Sequence, residues 1–196
     1  MAVSTEELRR CVRVSQQVKA LAQASVDVSL LSFNAMLAAE RAGTSALGFG
    51  EVSRHMGHMT EHLNQALGRI QAQVGEMVSV VSASTRAGRT VELLAEAARD
   101  PAAARLLAPA RAAAARELAR LEERRADLDT RLGVDLGDAW RASQMGCALS
   151  RSSRIEASHA GAHSTHLTAI SDGFGQDSDT IYSLVGELRE VVGSVR

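Results

Sequence analysis

The chain has 196 residues, 45% of them hydrophobic but only 3% aromatic, with two prolines and a formal charge of -1. That length can bury one real core or two small ones. The scarcity of aromatic and β-branched bulk argues against a β-sandwich or an α/β enzyme, and the neutral balance gives no basic surface for nucleic acid. No continuous run of about 18 apolar residues predicts a membrane span, so no direct membrane insertion is expected. The opening "MAVSTEELRRCVRVSQQ" lacks the apolar core of a signal peptide. The expected location is therefore cytoplasmic, and Cys11 and Cys147 read as small core residues, not as a disulfide framework.

Helix-forming alanine, leucine, arginine, glutamate and glutamine dominate. A first helix is predicted from Ser4, with Ser4 as N-cap and Glu7 completing a capping box. Its apolar seam runs Cys11, Val14, Val18, Leu21, Ser25, Val28, Ser32, Ala35, Ala39, Ala42, alternating steps of three and four. Gly43 stops it. A second helix starts near Gly48. Phe49, Val52, Met56, Met59, Leu63, Ala66, Ile70, Gln73, Met77, Val80, Ser84, Ala87, Val91, Leu94 and Ala98 keep the same rhythm. A 3.5-residue period sustained that long predicts a supercoiled bundle. Asp100-Pro101 supplies an N-cap followed by proline at the first helical position. The third helix carries Leu107, Leu118, Leu121, Leu128, Leu132, Ala139, Gly146 and Leu149. Pro109 is expected to kink its start, and Gly133 and Gly137 to bend or interrupt it. A fourth helix follows "HAGAHSTH", with the seam Leu167, Ile170, Phe174, Asp177, Ile181, Leu184, Leu188, Val191, Val195.

The hairpin occurs twice. Displaced by 118 residues, Ala39, Ala42 and Gly43 fall on Ala157, Ala160 and Gly161. Ser53 and Gly57 fall on Ser171 and Gly175, and Gly68 and Gly75 on Gly186 and Gly193. No gap is needed from Leu31 to Gly75. Heptads alone would align the apolar positions, but glycines are unfavourable inside helices and their coincidence points to duplication. The expected architecture is all-α: one elongated domain over 1–196, a long antiparallel four-helix bundle of two tandem hairpins. Repeat 1 covers about 4–85, a helix 2/helix 3 extension about 86–132, and repeat 2 about 133–196. Both turns are expected at one end.

The stretch "LLSFNAMLAAERAGTSALGFGEVSRHM" resembles the cytoplasmic signalling tip of methyl-accepting chemotaxis receptors, through Asn34, Ala35, Ala39, Arg41, Ala42, Gly43, Gly48, Phe49 and Val52. The second hairpin resembles it more faintly, through Ile155, Glu156, Ala157, Ala160, Gly161 and Ile170. In that family two identical hairpins from two chains form the bundle, and its tip binds a coupling protein and a histidine kinase and packs against other receptors. The resemblance therefore implies a pseudo-dimer within one chain, monomeric or further homodimeric, that engages such partners or other receptor-like proteins. Partner contacts implied or exposed at the turns are Phe33, Asn34, Leu37, Arg41 and Phe49, with Glu156 and His159 at the second. The family's tip glutamate is Ala38 here, surviving as Glu156, and its arginine is Arg41 in the first hairpin but His159 in the second. No methylation site is recognisable.

The same helices offer a second chemistry. His55, His58 and His62, with Cys147 at similar depth, would be the ligands of a small metal or haem sensor. Inward Glu-x-x-His pairs, the usual bundle metal signature, are missing, so no cofactor is expected. No phosphate loop, nucleophilic triad or framed carboxylate pair predicts catalysis, and the chain reads as a non-enzyme. A structural scaffold for another bacterial signalling pathway is the remaining alternative.

Overall fold

A computed structural model describes the backbone of residues 2–193 and the side chains of 6–193; Val195 of the expected fourth seam lies outside them. Four α-helices follow one another: α1 (Ala2–Ala42, 41 residues), α2 (Leu47–Ala97, 51), α3 (Pro101–Ser158, 58) and α4 (Ser164–Gly193, 30). Short 3-10 turns, Gly43–Ala46 and Gly161–His163, join α1 to α2 and α3 to α4. No strand occurs among the described residues. The protein is an all-α, hairpin-built bundle.

Two local expectations need correction. The first helix begins at Ala2, so Ser4 lies within it and not at its N-cap position, while Glu7 is ion-paired with Arg125 of α3. The third helix runs unbroken through Gly133 and Gly137. An interior glycine costs about 1 kcal/mol relative to alanine, which the burial of Leu128, Leu132, Leu136 and Ala139 along that helix outweighs. Pro109 is also inside α3. It removes one backbone bond in an exposed stretch, where water can satisfy the freed carbonyl. The Asp100 cap holds as expected: its carboxylate accepts from the Ala102 and Ala103 amides at 3.4 and 3.2 Å.

The described chain divides into two compact units, one of residues 1–13 and 72–133, the other of 14–71 and 134–196. In the first, α1 lies on α3 through Glu7–Arg125 and Arg10–Asp129, and α2 is tied to α3 by Arg124 donating to Glu76 at 2.7 Å. Cys11 is buried beside Arg10, and burial pushes its thiol up from the ordinary range.

The second unit contains all four helices, and its contacts fix their order around the core. Ser25 Oγ of α1 donates to the Thr60 carbonyl of α2 at 3.4 Å, and Gln71 Nε2 of α2 to Ser15 Oγ at 3.2 Å. Arg69 Nε of α2 donates to Asp135 Oδ1 of α3 at 2.6 Å, and its Nη2 to Asp138 at 3.2 Å. The Trp140 and Tyr182 rings clasp α3 to α4 with centroids 4.5 Å apart, and Arg189 lies 4.7 Å over the indole. Leu31 of α1 meets Gly173 of α4, where a Cβ would sit 2.9 Å from Leu31 Cδ2. Each helix thus touches the next, and α4 returns to α1: an up-down-up-down square.

The core of this unit has two kinds of tier. Large side chains fill alternate levels: Leu21, Leu63 and Ile181, then Met56 and Phe174, then Phe49 and Leu167, all at or below 1% exposure. Between them lie hydroxyls. Ser32, Ser53, Ser150 and Ser171 share one heptad position, one per helix; Ser25, Thr60, Ser143 and Ser178 share the position seven residues further from the turns. All eight are buried. Most are satisfied by their own helix, as where Ser53 donates to the Phe49 carbonyl at 2.7 Å and Ser171 to Leu167 at 3.0 Å. Each hydroxyl recurs at 118 residues: 25 with 143, 32 with 150, 53 with 171, 60 with 178. This agreement lies in buried polar positions, which heptad patterning does not demand.

Candidate interaction surface at the paired turns

Both turns are made the same way. Ala42 ends α1 in the right-handed region (φ -77°, ψ -13°) and Gly43 follows at φ +65°. Ala160 has φ -79° and Gly161 φ +56°. Among the described residues, these two glycines alone have positive φ. A Cβ at either would meet nothing within 4 Å, so glycine is required for conformation and not for space. Ser45 Oγ donates to the Ala42 carbonyl at 3.0 Å in the first turn; in the second the Ser164 amide donates to the Gly161 carbonyl.

The turns share one end of the four-helix unit. Gly48, just after the first, faces Glu156, just before the second, and a Cβ on Gly48 would overlap the Glu156 carboxylate. Glu156 is half-buried there, whereas His159 is exposed, with Nδ1 2.9 Å from the Ile155 carbonyl. The first-turn residues separate. Phe33 (57% exposed), Asn34, Leu37 (37%) and Arg41 lie on the open side of α1. Phe49 does not: it is fully buried at 0% and cannot be a surface contact. Its place on the same seam as Met56 and Leu63 carries it into the core.

Two neighbours of this surface were not singled out from the sequence. Val26 (45% exposed) and Leu30 (60%) extend Phe33 and Leu37 into an apolar line at steps of four, three and four along α1. Their signal was available as a second apolar line beside the first. One 18-residue window between Glu6 and Ala97 accordingly reaches a mean hydropathy of 1.3, enough by length and composition for a membrane span, with 28% of it buried. A helix apolar on both its seam and its outer face produces such a value. The equivalent line on α3 reads Gln144, Ala148, Arg151, Ile155. There the surface is charged: Arg151, Arg154, Asp172 and Asp179 rim a hollow of about 350 Å³ over Cys147 and Gly175, with Arg154 Nη2 2.8 Å from Asp172. The two repeats therefore present one apolar and one ionic outer face.

The histidines do not converge. His55 Nε2 lies 3.1 Å from Glu51, and His58 3.9 Å from Glu61, all exposed. Arg54 hydrogen-bonds Glu51 and holds its carboxyl below the ordinary range. His62 is exposed, and Cys147 is half-buried with Sγ 3.8 Å from the Ser178 carbonyl. Burial, then the charge of Asp179, raises the Cys147 thiol, which disfavours the thiolate a metal would need. Among the described residues no group of three histidine, cysteine or acidic side chains is placed to hold a metal.

Asp177 is the one seam carboxylate. Burial, and secondly the charge of Asp27 on α1, pushes it above the ordinary value; Gln23 donates to that Asp27 at 3.3 Å. A folded-state pKa above the unfolded one means that its contribution to stability is intact below the ordinary aspartate range and lost as pH rises through the raised value. Asp177→Asn should therefore stabilise the protein at pH 7 and have little effect near pH 3. Urea unfolding at both pH values checks this; an equal effect at both would refute it.

No protein-family model matches this chain, and no curated protein sequence matches it.

Proposed function

We propose that this chain is a receptor-tip-like interaction protein: two signalling-tip hairpins joined in one polypeptide, which binds or modulates a chemosensory coupling protein or its histidine kinase. The observation that carries the reading is the pair Gly43 and Gly161, left-handed residues at equivalent places in two hairpins whose turns lie together. A receptor tip needs two such hairpins side by side, and here one chain supplies both. The resemblance of residues 30–56 to the receptor tip gives the partner class. Phe33, Leu37 and Arg41 are the exposed contacts. An apolar anchor beside an arginine is a common composition for the energetic centre of an interface.

Arg41→Glu tests it. Arg41 is exposed at the end of α1, so the substitution leaves helicity unchanged in circular dichroism. It should weaken capture of the purified coupling protein or kinase at least tenfold, as reversing a charge at an interface centre does. Capture equal to that by the unaltered chain would overturn the proposal.

A further inference from the structure

The two hairpins differ where their turns meet. Displaced by 118 residues, Ala38 of α1 falls on Glu156 of α3, and Gly48 of α2 falls on His166 of α4. The first hairpin therefore carries a small residue before its turn and no side chain after it. The second carries a carboxylate before its turn and an imidazole after it. Glu156 lies opposite Gly48, and its carboxylate takes the space of the missing side chain, so any Cβ at Gly48 would overlap it. Gly48 is the second residue of α2, and a carboxylate beside that first turn also meets the positive end of the helix dipole.

The corresponding contact of α1 with α4 is fixed by Leu31 meeting Gly173. Ala38 stands seven residues after Leu31, and His166 seven before Gly173. Seven residues are about two helical turns on the same face, so antiparallel packing brings Ala38 and His166 to one level. The two interfaces thus place their bulk on opposite sides. Between α2 and α3 it stands before the turn; between α1 and α4 it stands after the turn. Two first hairpins paired together would set Ala38 against Gly48 twice and leave both places underfilled. Two second hairpins would set Glu156 against His166 twice, with the carboxylate where a Cβ must go.

We infer that Ala38, Gly48, Glu156 and His166 are the specificity contacts through which each hairpin selects the other and rejects a copy of itself. Pairing of identical hairpins is disfavoured at this end of the unit, and the surfaces around Arg41 and His159 keep one fixed order. The inference rests on hairpin packing and not on the identity of any partner, so it stands or falls separately from the proposed function.

Urea unfolding of the full chain, followed by circular dichroism, tests it through two mutant cycles. Gly48→Ala should lower the folded-to-unfolded ratio roughly tenfold or more, as overpacking does. In a Glu156→Ala background the same substitution should change that ratio by no more than roughly twofold. Ala38→Glu reproduces, inside the intact chain, the contact of two second hairpins. It should also cost roughly tenfold, although glutamate is a good helix former. In a His166→Gly background, Ala38→Glu rebuilds between α1 and α4 the pair found between α2 and α3, and the loss should vanish. Helix propensity or surface charge alone would give additive effects in both cycles. Additivity in either cycle overturns the inference, as does an Ala38→Glu chain as stable as the unaltered one. If Gly48→Ala does not fold, the double variant with Glu156→Ala decides: a folded chain supports the inference and an unfolded one overturns it.

Discussion

Phe174→Ala is expected to lower the unfolding free energy by about 3–5 kcal/mol, the range for deleting a fully buried aromatic ring. Phe174 is 0% exposed in the middle of α4. Its neighbourhood has few other large groups, because the tiers on either side are built of serine and threonine. A buried serine satisfied by its own helix adds little hydrophobic free energy, so the Leu, Met, Ile and Phe tiers carry most of the burial in this unit. Met56 shares the tier of Phe174 and is fully buried, and a methionine beside such a gap can refill part of a cavity. The expected value therefore lies toward the lower end of the range. Urea unfolding followed by circular dichroism gives the number. A loss under about 1 kcal/mol would mean that the ring does not fill the core, since exposed substitutions fall in that range.

Phe33→Asp is expected to weaken partner binding about 100-fold while leaving stability within about 0.5 kcal/mol, because Phe33 is 57% exposed and binding hot spots are commonly worth 2 kcal/mol or more. The repeat makes the test sharper. The position equivalent to Phe33 is Arg151, on a face rimmed by Arg154, Asp172 and Asp179. A partner that needs an apolar anchor can dock on the α1 face but would have to desolvate charge on the α3 face. One bundle should therefore bind one partner at this level. Arg151→Phe should not replace the lost contact in a Phe33→Asp background unless the neighbouring charges are also removed. Calorimetric titration with the coupling protein or kinase gives affinity and stoichiometry together. Unchanged affinity for Phe33→Asp, or two partners per unaltered chain, would place binding elsewhere.

Much of this fold can be read without coordinates because the information is local and periodic. Nine of the ten α1 seam positions, Cys11 to Ala39, are buried, and only Ala42 at the turn is not. Gly43 and Gly161 stop their helices because each must enter a region of backbone space that side chains disfavour, and that requirement belongs to the residue itself. The Asp100 cap follows from two adjacent residue types. Expectations failed where a weak local preference met packing: Gly133 and Gly137 lie within one unbroken α3 whose Leu128, Leu132, Leu136 and Ala139 are buried. Ser4 does not start α1, and Glu7 pairs across to Arg125 instead of closing a cap.

The sequence by itself determined the helical class, the two glycine turns and the seams, since each rests on a period or on the backbone freedom of one residue. The tertiary structure decided which apolar residues reach the surface: Phe33 and Phe49 flank the same turn, yet Phe49 is enclosed and Phe33 is open to solvent. It also brought hydroxyls from four helices to the same levels, joined the two turns through Gly48 and Glu156, and left residues 82–127 unburied. The reason is that exposure depends on how many helices surround a position, and no single helix carries that number in its own periodicity.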